Sequence, residues 1–207
     1  MHPAATLFLD VCVQSQLWPE GVWSLVSGTQ ARDIARLFTI AAAFGVRQGG
    51  VVCRHVSASA EPVCGAPAHC RSAESANARP VGCSPTLPMQ VWAADVKSNS
   101  VMTLDRAHAV YVDSGCGRAP DGDPRRARAF EHLTSGVRDA VVFGAGVEHG
   151  VDRVVEGLLR RRIRTHVALD AVGTADEILA QTIAAAWKRR GVDGITVETL
   201  ERMLKAS

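Results

Sequence analysis

The stretch Val141–Gly150, VVFGAGVEHG, decides how the chain is read: an apolar run stops at a turn of small residues, and a helical pattern takes over. Val141, Val142 and Phe143 have the β-branched and aromatic character of a buried strand, and Gly144-Ala145-Gly146 allows a sharp turn or a close approach to a ligand. Beyond it Val151, Val154, Val155, Leu158 and Leu159 fall at helical spacing, which places the amides of residues 147 to 150 near a helix N-terminus. Such amides attract anions and oxyanions. Many α/β enzymes carry a nucleophile at this point, whereas here Glu148, His149 and Gly150 hold the candidate positions and none is Ser or Cys.

Upstream, Thr6 to Val13 is an apolar run broken only by Asp10, and it predicts a buried first strand with one acid near its C-terminal end. A buried carboxylate is costly without a partner or a task. Gln14 to Gly28, with Trp18, Pro19, Gly21 and Trp23, reads as a loop that walls a pocket with aromatics. A helix is expected from about Thr29 to Phe44, with Ile34, Leu37, Phe38, Ile40 and Ala41 on one face and Gly45 as its stop. Val51 to Arg54 reads as a second short strand.

From Cys53 to about Met89 periodicity gives way to Pro, Ser, Ala and Gly. Four of the six cysteines (Cys53, Cys64, Cys70, Cys83) and two histidines (His55, His69) are concentrated there, which points to a functional loop rather than simple disorder. Val91 to Val101 is a short element before a third strand, His108 to Val112. Pro124 opens a helix that runs to about Thr134, and Val137 to Phe143 is the fourth strand. Thr165 to Leu169 is a fifth strand ending at Asp170; Ala175 to Arg189 is a helix; Ile195 to Val197 and Glu198 to Leu204 are a last short strand and helix.

Strands alternating with helices predict an α/β fold of three layers, with a mostly parallel sheet of about six strands covered on both faces, in a single domain over residues 1–207. Ligands bind such sheets beyond the C-terminal strand ends. Asp10, Cys53-Arg54-His55, Asp113 to Cys116 and Gly144 to Gly150 all fall at those ends, so four segments are expected to converge on one crevice.

Composition narrows the function further. The 207 residues carry a formal charge of +2, which argues for no nucleic-acid partner. Arg160, Arg161, Arg162 and Arg164 sit at a helix end, where cations complement the macrodipole. The mostly apolar window from Leu37 to Val46 is about half the length of a membrane span, so no membrane segment is expected. The N-terminus reaches an acid at Asp10 without a positive leading region, so a signal peptide is not expected and the protein is read as cytoplasmic. In that setting six irregularly spaced cysteines favour free thiols, metal ligation or catalysis over a disulfide framework.

Two segments carry a resemblance. LFLDVCVQSQLWPEG resembles the first strand and following loop of the isochorismatase-like, or nicotinamidase-like, cysteine hydrolase superfamily, with two extra residues before Pro19 and Asp10 at the position of the catalytic acid. VFGAGVEHGVDRVV followed by THVALDAVGTAD resembles that superfamily's nucleophile strand, turn, helix and next strand without a gap. The resemblance implies that Gly150 stands where the catalytic cysteine would be, and that the Ala145–Gly146 bond replaces the cis peptide of the oxyanion hole. Nicotinamidases place a metal beside the triad on an Asp-x-His pair and a Pro-x-His-Cys segment; here Cys53-Arg54-His55 and Pro67-Ala68-His69-Cys70 match, with cysteine for aspartate. A thiolate favours a zinc-like ion, so the resemblance implies Zn2+ or another divalent metal on Cys53, His55 and His69, with Glu61 or Cys64 completing the shell. Buried apolar cysteines and incidental loop histidines are the alternative. The lysine of the triad has no counterpart: the strand AHAVYV leads into Asp113-Ser114-Gly115-Cys116, and Lys97 lies well before it.

These residues admit three functions. In the first the triad is degenerate and the pocket, bounded by Asp10, Trp18, Ala145, Gly146, His149 and Gly150, binds a small amide or carboxylate beside the metal without turnover. Loss of the cysteine side chain is then expected to open space at the turn. In the second, an active amidohydrolase works by rearranged chemistry: a Cys116 thiol with Asp10 or His149 as base, or a metal-bound hydroxide, acts as nucleophile. The bland alternatives are a packed thiol for Cys116 and a local hydrogen bond at the helix start for His149. The third is a structural subunit serving assembly, since proteins resembling this family form dimers or larger homo-oligomers. Asp170 reads as a helix-capping or loop-ordering acid rather than a catalytic one.

Overall fold

In the computed structural model, residues 1–13, 19, 24–52, 89–92, 109–113 and 124–207 are described. The first strand, β1 (Thr6–Val11), is buried along its length, as its apolar run requires. Helix α1 (Gly28–Phe44) starts one residue earlier than expected, because Ser27 and Gln30 form a capping box: the Ser27 hydroxyl accepts from Gln30 N–H at 3.2 Å while Gln30 Oε1 accepts from Ser27 N–H at 2.8 Å. It ends where Gly45 takes a left-handed conformation, φ 63°.

The second strand, β2 (Arg47–Val52), corrects the expected Val51–Arg54: it begins at polar residues and runs through Gly49-Gly50, which carry no strand signal of their own. Parallel pairing of Leu7 through Val11 with Arg47 through Val51 holds it in place. Then come β3 (Met89–Trp92), β4 (Ala109–Asp113), α2 (Pro124–Thr134) and β5 (Asp139–Ala145). A π-turn over Val147–Val151 leads into α3 (Asp152–Arg160). The remaining elements are β6 (Arg164–Gly173), α4 (Glu177–Arg189), β7 (Asp193–Ile195) and α5 (Val197–Lys205).

Seven strands, one more than expected, form a single parallel sheet in the order β3-β4-β2-β1-β5-β6-β7. Helices α1 and α5 cover one face through Ile34, Leu37, Ala41, Leu200 and Leu204, which pack with Phe8 and Phe143. The other face lies under α2, α3 and α4, through Phe130, Leu133, Val154, Val155, Leu158 and Trp187. The three-layer α/β/α reading holds. Among the described residues no helix is long and apolar enough to cross a membrane.

The strand order places the site. From β1 the chain moves to β2 on one side and later returns as β5 on the other, so the order reverses between β1 and β5. A crevice opens at such a switch point, beyond the C-terminal strand ends. There Asp10 and Val11 pair with Phe143 and Gly144.

One register change matters as well. Val142 of β5 pairs with Val167 of β6, but Gly144 pairs with Val172, so β6 carries a bulge in between. This corrects the expected end of the strand at Asp170: β6 runs on to Gly173, and Asp170 sits inside it. Both oxygens of Asp170 accept the Val197 N–H, at 3.1 and 3.0 Å, so the acid caps the start of α5.

Candidate functional site

Asp10 is the last residue but one of β1 and is only 1% exposed. Gly50 stands beside it in the register, so its direct partner on β2 brings no side chain. The chain turns at Cys12, whose φ of 51° is left-handed and whose N–H donates to Val51 O at 2.8 Å.

On the neighbouring strand, Gly144 takes φ 125° because there is no room for a side chain: a Cβ there would lie 2.1 Å from Val11 O. The reversal itself is made by Gly146, left-handed at φ 78° and ψ 66°. The Ala145–Gly146 bond is trans, and no cis peptide occurs among the described residues.

The carbonyl of Gly146 organises the start of the next helix. It accepts N–H bonds from His149 at 3.2 Å, Gly150 at 2.8 Å and Val151 at 3.1 Å, while Gly146 N–H donates to Gly173 O at 2.9 Å. Of the amides expected over 147 to 150 to face an anion, those of His149 and Gly150 are corrected, because both already donate to Gly146 O inside the chain. Helical spacing located the helix start, but a π-turn closed on one carbonyl replaces an open first turn.

Position 150 is also full. A Cβ on Gly150 would lie 2.8 Å from Val11 Cγ1, 3.5 Å from Ala145 O and 3.8 Å from Cys12 Sγ. The space expected from the loss of a side chain is occupied by the Val11 methyl, with Val11 itself fully buried.

Glu148, to which the sequence assigns no role, ties this turn to the next strand end. One of its oxygens accepts from the Thr174 hydroxyl, from Ala175 N–H at 3.1 Å and from Asp176 N–H at 2.9 Å. Burial pushes its carboxyl up, but the Thr174 hydroxyl and the N–H groups of Glu148 itself, Asp176 and Ala175 outweigh burial and hold it below the ordinary glutamate value. His149 beside it is exposed.

No protein-family model matches the chain, and no curated protein matches it in sequence. Solved structures do match in shape. An isochorismatase family protein from Desulfovibrio vulgaris is similar with TM-score 0.70 and 16% identity, over 98% of this chain and 99% of that one. The chain has the isochorismatase-like fold. The YcaC gene product of Escherichia coli, an octameric hydrolase of unknown specificity, aligns with the same fold at TM-score 0.65 and 16% identity, over 100% of this chain and 82% of that one. A pyrazinamidase of Pyrococcus horikoshii in complex with zinc aligns at TM-score 0.65 and 16% identity, over 93% and 99%.

Within this isochorismatase-like fold, the structure brings Asp10, Ala145, Gly146, His149 and Gly150 to adjoining strand ends, β1 and β5. Trp18, Cys53, His55, His69 and Cys116 lie outside the described residues, as do Glu61 and Cys64. Among the described residues no group of three or more His, Cys, Asp or Glu is placed to hold a metal. Cys12 is the residue that sequence reasoning passed over. It stands two positions beyond Asp10 in the same quoted segment, and only the strand pairing shows that it faces the turn at Gly150.

Proposed function

We propose that the chain uses the isochorismatase-like fold to bind a small amide or carboxylate between the ends of β1 and β5, without thiol turnover at residue 150. The observation that carries the reading is the Val11 methyl 2.8 Å from where a Cβ on Gly150 would stand: position 150 holds no nucleophile and is packed against one arising. The triad is then degenerate, with Asp10 its remaining member and Trp18, Ala145, Gly146, His149 and Gly150 framing the ligand.

A zinc-type ion on Cys53, His55 and His69 belongs to the same reading, because thiolate and imidazole are the donors zinc prefers. When bound it would polarise a ligand oxygen. The protein is further read as one cytoplasmic domain that forms a homo-oligomer and has neither nucleic acid nor membrane as partner. The octameric state of the Escherichia coli hydrolase and the near-neutral charge support this part.

The test measures binding and hydrolysis in parallel on one panel of carboxamides and isochorismate-like enol ethers. Saturable binding without product release is expected; repeated turnover by the unmodified protein overturns the reading. Elemental analysis should find about one zinc per chain, lost in Cys53→Ser or His69→Ala. Metal-free protein that still folds and binds removes the ion from the proposal.

A second reading is favoured by the Cys12 Sγ, 3.8 Å from the same Cβ position. A thiol delivered from β1 would act in the space a residue-150 thiol would use, with Asp10 handing on protons. Thiolate addition to the amide carbon gives a thioester and releases the amine with a proton; water then frees the acid and the thiol. In this reading the chain is an active amidohydrolase, Cys12→Ser abolishes turnover and Cys116→Ser does not. The opposite pattern assigns the chemistry to Cys116.

A further inference from the structure

We infer that two copies of this chain associate about a two-fold axis through α4, laid antiparallel on its own copy. The inference rests on the homo-oligomer reading above and supplies the surface that makes it.

Helix α4, EILAQTIAAAWKR, is apolar well beyond the face it buries. Trp187 is buried, and Ala180, Ile183 and Ala184 pack against the core beneath it. On its outer side Ile178 is 79% exposed and Leu179 44%, and Leu169 of β6, beside the C-terminal half of the helix, is 47% exposed. Among the described residues these are the large exposed hydrophobic side chains. Between the C-terminal half of α4 and β7, which ends the sheet, runs a groove lined in part by Val167, Leu169, Ala185, Lys188 and Gly194. Gly194 keeps the floor of the groove low, since a Cβ there would meet Leu169 Cδ1 at 2.6 Å.

The helix is complementary to itself when inverted. Outside the face turned to the core, its N-terminal half carries the bulk, Ile178 and Leu179, and its C-terminal half the small residues Ala185 and Ala186. Its charges divide the same way, with Glu177 in the first turn and Lys188 and Arg189 in the last. An antiparallel pair centred between Thr182 and Ile183 sets Glu177 of each copy level with Lys188 of the other, and Leu179 level with Ala186. Ile178 of one copy then lies level with the Ala185 and Lys188 end of the groove of the other. Asp176 and Arg190 are engaged within the chain, with Leu179 N–H and Glu156 respectively, so the cross-copy pairing falls to Glu177 and the Lys188 level with it, with Arg189 alongside. A parallel arrangement would set like charges together. An isologous contact of this kind needs one patch that matches itself, and α4 supplies it.

The experiment is sedimentation of the full chain by analytical ultracentrifugation across a concentration series, with thermal melts to check folding. Ile178→Glu should weaken association about tenfold or more. Glu177→Lys and Lys188→Glu should each weaken it, and the double variant should restore it, because the swapped pair attracts again. A double variant no stronger than the single ones overturns the antiparallel register. An oligomer unmoved by all four variants overturns the α4 surface and leaves the homo-oligomer reading standing; a monomer at every concentration overturns both.

Discussion

Val11 Cγ1 lies 2.8 Å from the place a Cβ on Gly150 would take, so the end of β1 and the turn after β5 are fitted to a glycine. Gly150→Ala should therefore drive a methyl against the fully buried Val11 and cost about 1–3 kcal/mol. Val11→Ala leaves a cavity and is destabilising on its own. Combined, the two should cost less than the sum, because each relieves the other. Urea denaturation of the four proteins checks this, and strict additivity would remove Val11 as the reason glycine is needed.

Glu148 holds the π-turn to the start of α4 through three bonds to one oxygen, from the Thr174 hydroxyl and the Ala175 and Asp176 N–H groups. Its carboxyl sits below its ordinary value in the fold, so it stabilises the protein above the unfolded-state pKa and stops doing so as pH falls through the folded one. Glu148→Gln should cost about 1–2 kcal/mol at pH 7. It should also flatten the acid side of the stability profile, measured by denaturation between neutral and acidic pH. An unchanged acid limb in the variant would assign that slope to other carboxylates.

The layers and the helix ends were legible because their signals are local. Gly45 and Pro124 each mark a boundary by backbone chemistry within a few residues, and the apolar runs of β1 and β5 are long enough to declare burial. β2 was misplaced because Arg47-Gln48-Gly49-Gly50 has no apolar pattern; its partner strands fix it. The bulge that lengthens β6 past Asp170 likewise depends on β5. At the candidate site, spacing along the chain located the turn at 144–150. It gave no warning that Gly146 O would take the amides, that Val11 would fill the space at Gly150, or that Cys12 would face it, since all three depend on which strands are neighbours.

At the opposite end of the sheet Asp139, 3% exposed, receives the Arg164 guanidinium and lies 3.5 Å from His166 Nε2, while His166 Nδ1 is 3.4 Å from Asp193. Burial raises the Asp139 carboxyl, but the hydrogen bond and charge of Arg164, then those of His166, prevail and hold it below its ordinary value. Its contribution is accordingly present above the unfolded-state pKa and lost as pH falls through the folded one. Asp139→Asn should cost about 1–3 kcal/mol at pH 7, because it weakens a charge-assisted bond at a buried acceptor. Asp193 has a side chain 59% exposed, so Asp193→Asn should cost under about 1 kcal/mol. Equal losses from the two would mean that burial is not what separates them.

Asp170 offers a test of how β6 holds the last helix. Its carboxylate lies inside the strand only because of the bulge opposite β5, and from there it accepts the Val197 N–H with both oxygens, at 3.1 and 3.0 Å. That N–H belongs to the first residue of α5, whose Thr196 already caps Thr199 N–H at 3.2 Å. The two acceptors satisfy different orphan donors, so neither substitutes for the other. Asp170→Ala should cost about 0.5–2 kcal/mol, in the range of a lost N-cap. The loss should appear first as faster amide exchange in α5 and at Asp193–Ile195 of β7, because α5 packs Val197, Leu200 and Leu204 into the core that anchors this edge. Asp170→Asn keeps an acceptor oxygen and should recover much of the stability. If Asp170→Ala were instead neutral in both measurements, the cap at Thr196 alone would suffice to hold α5.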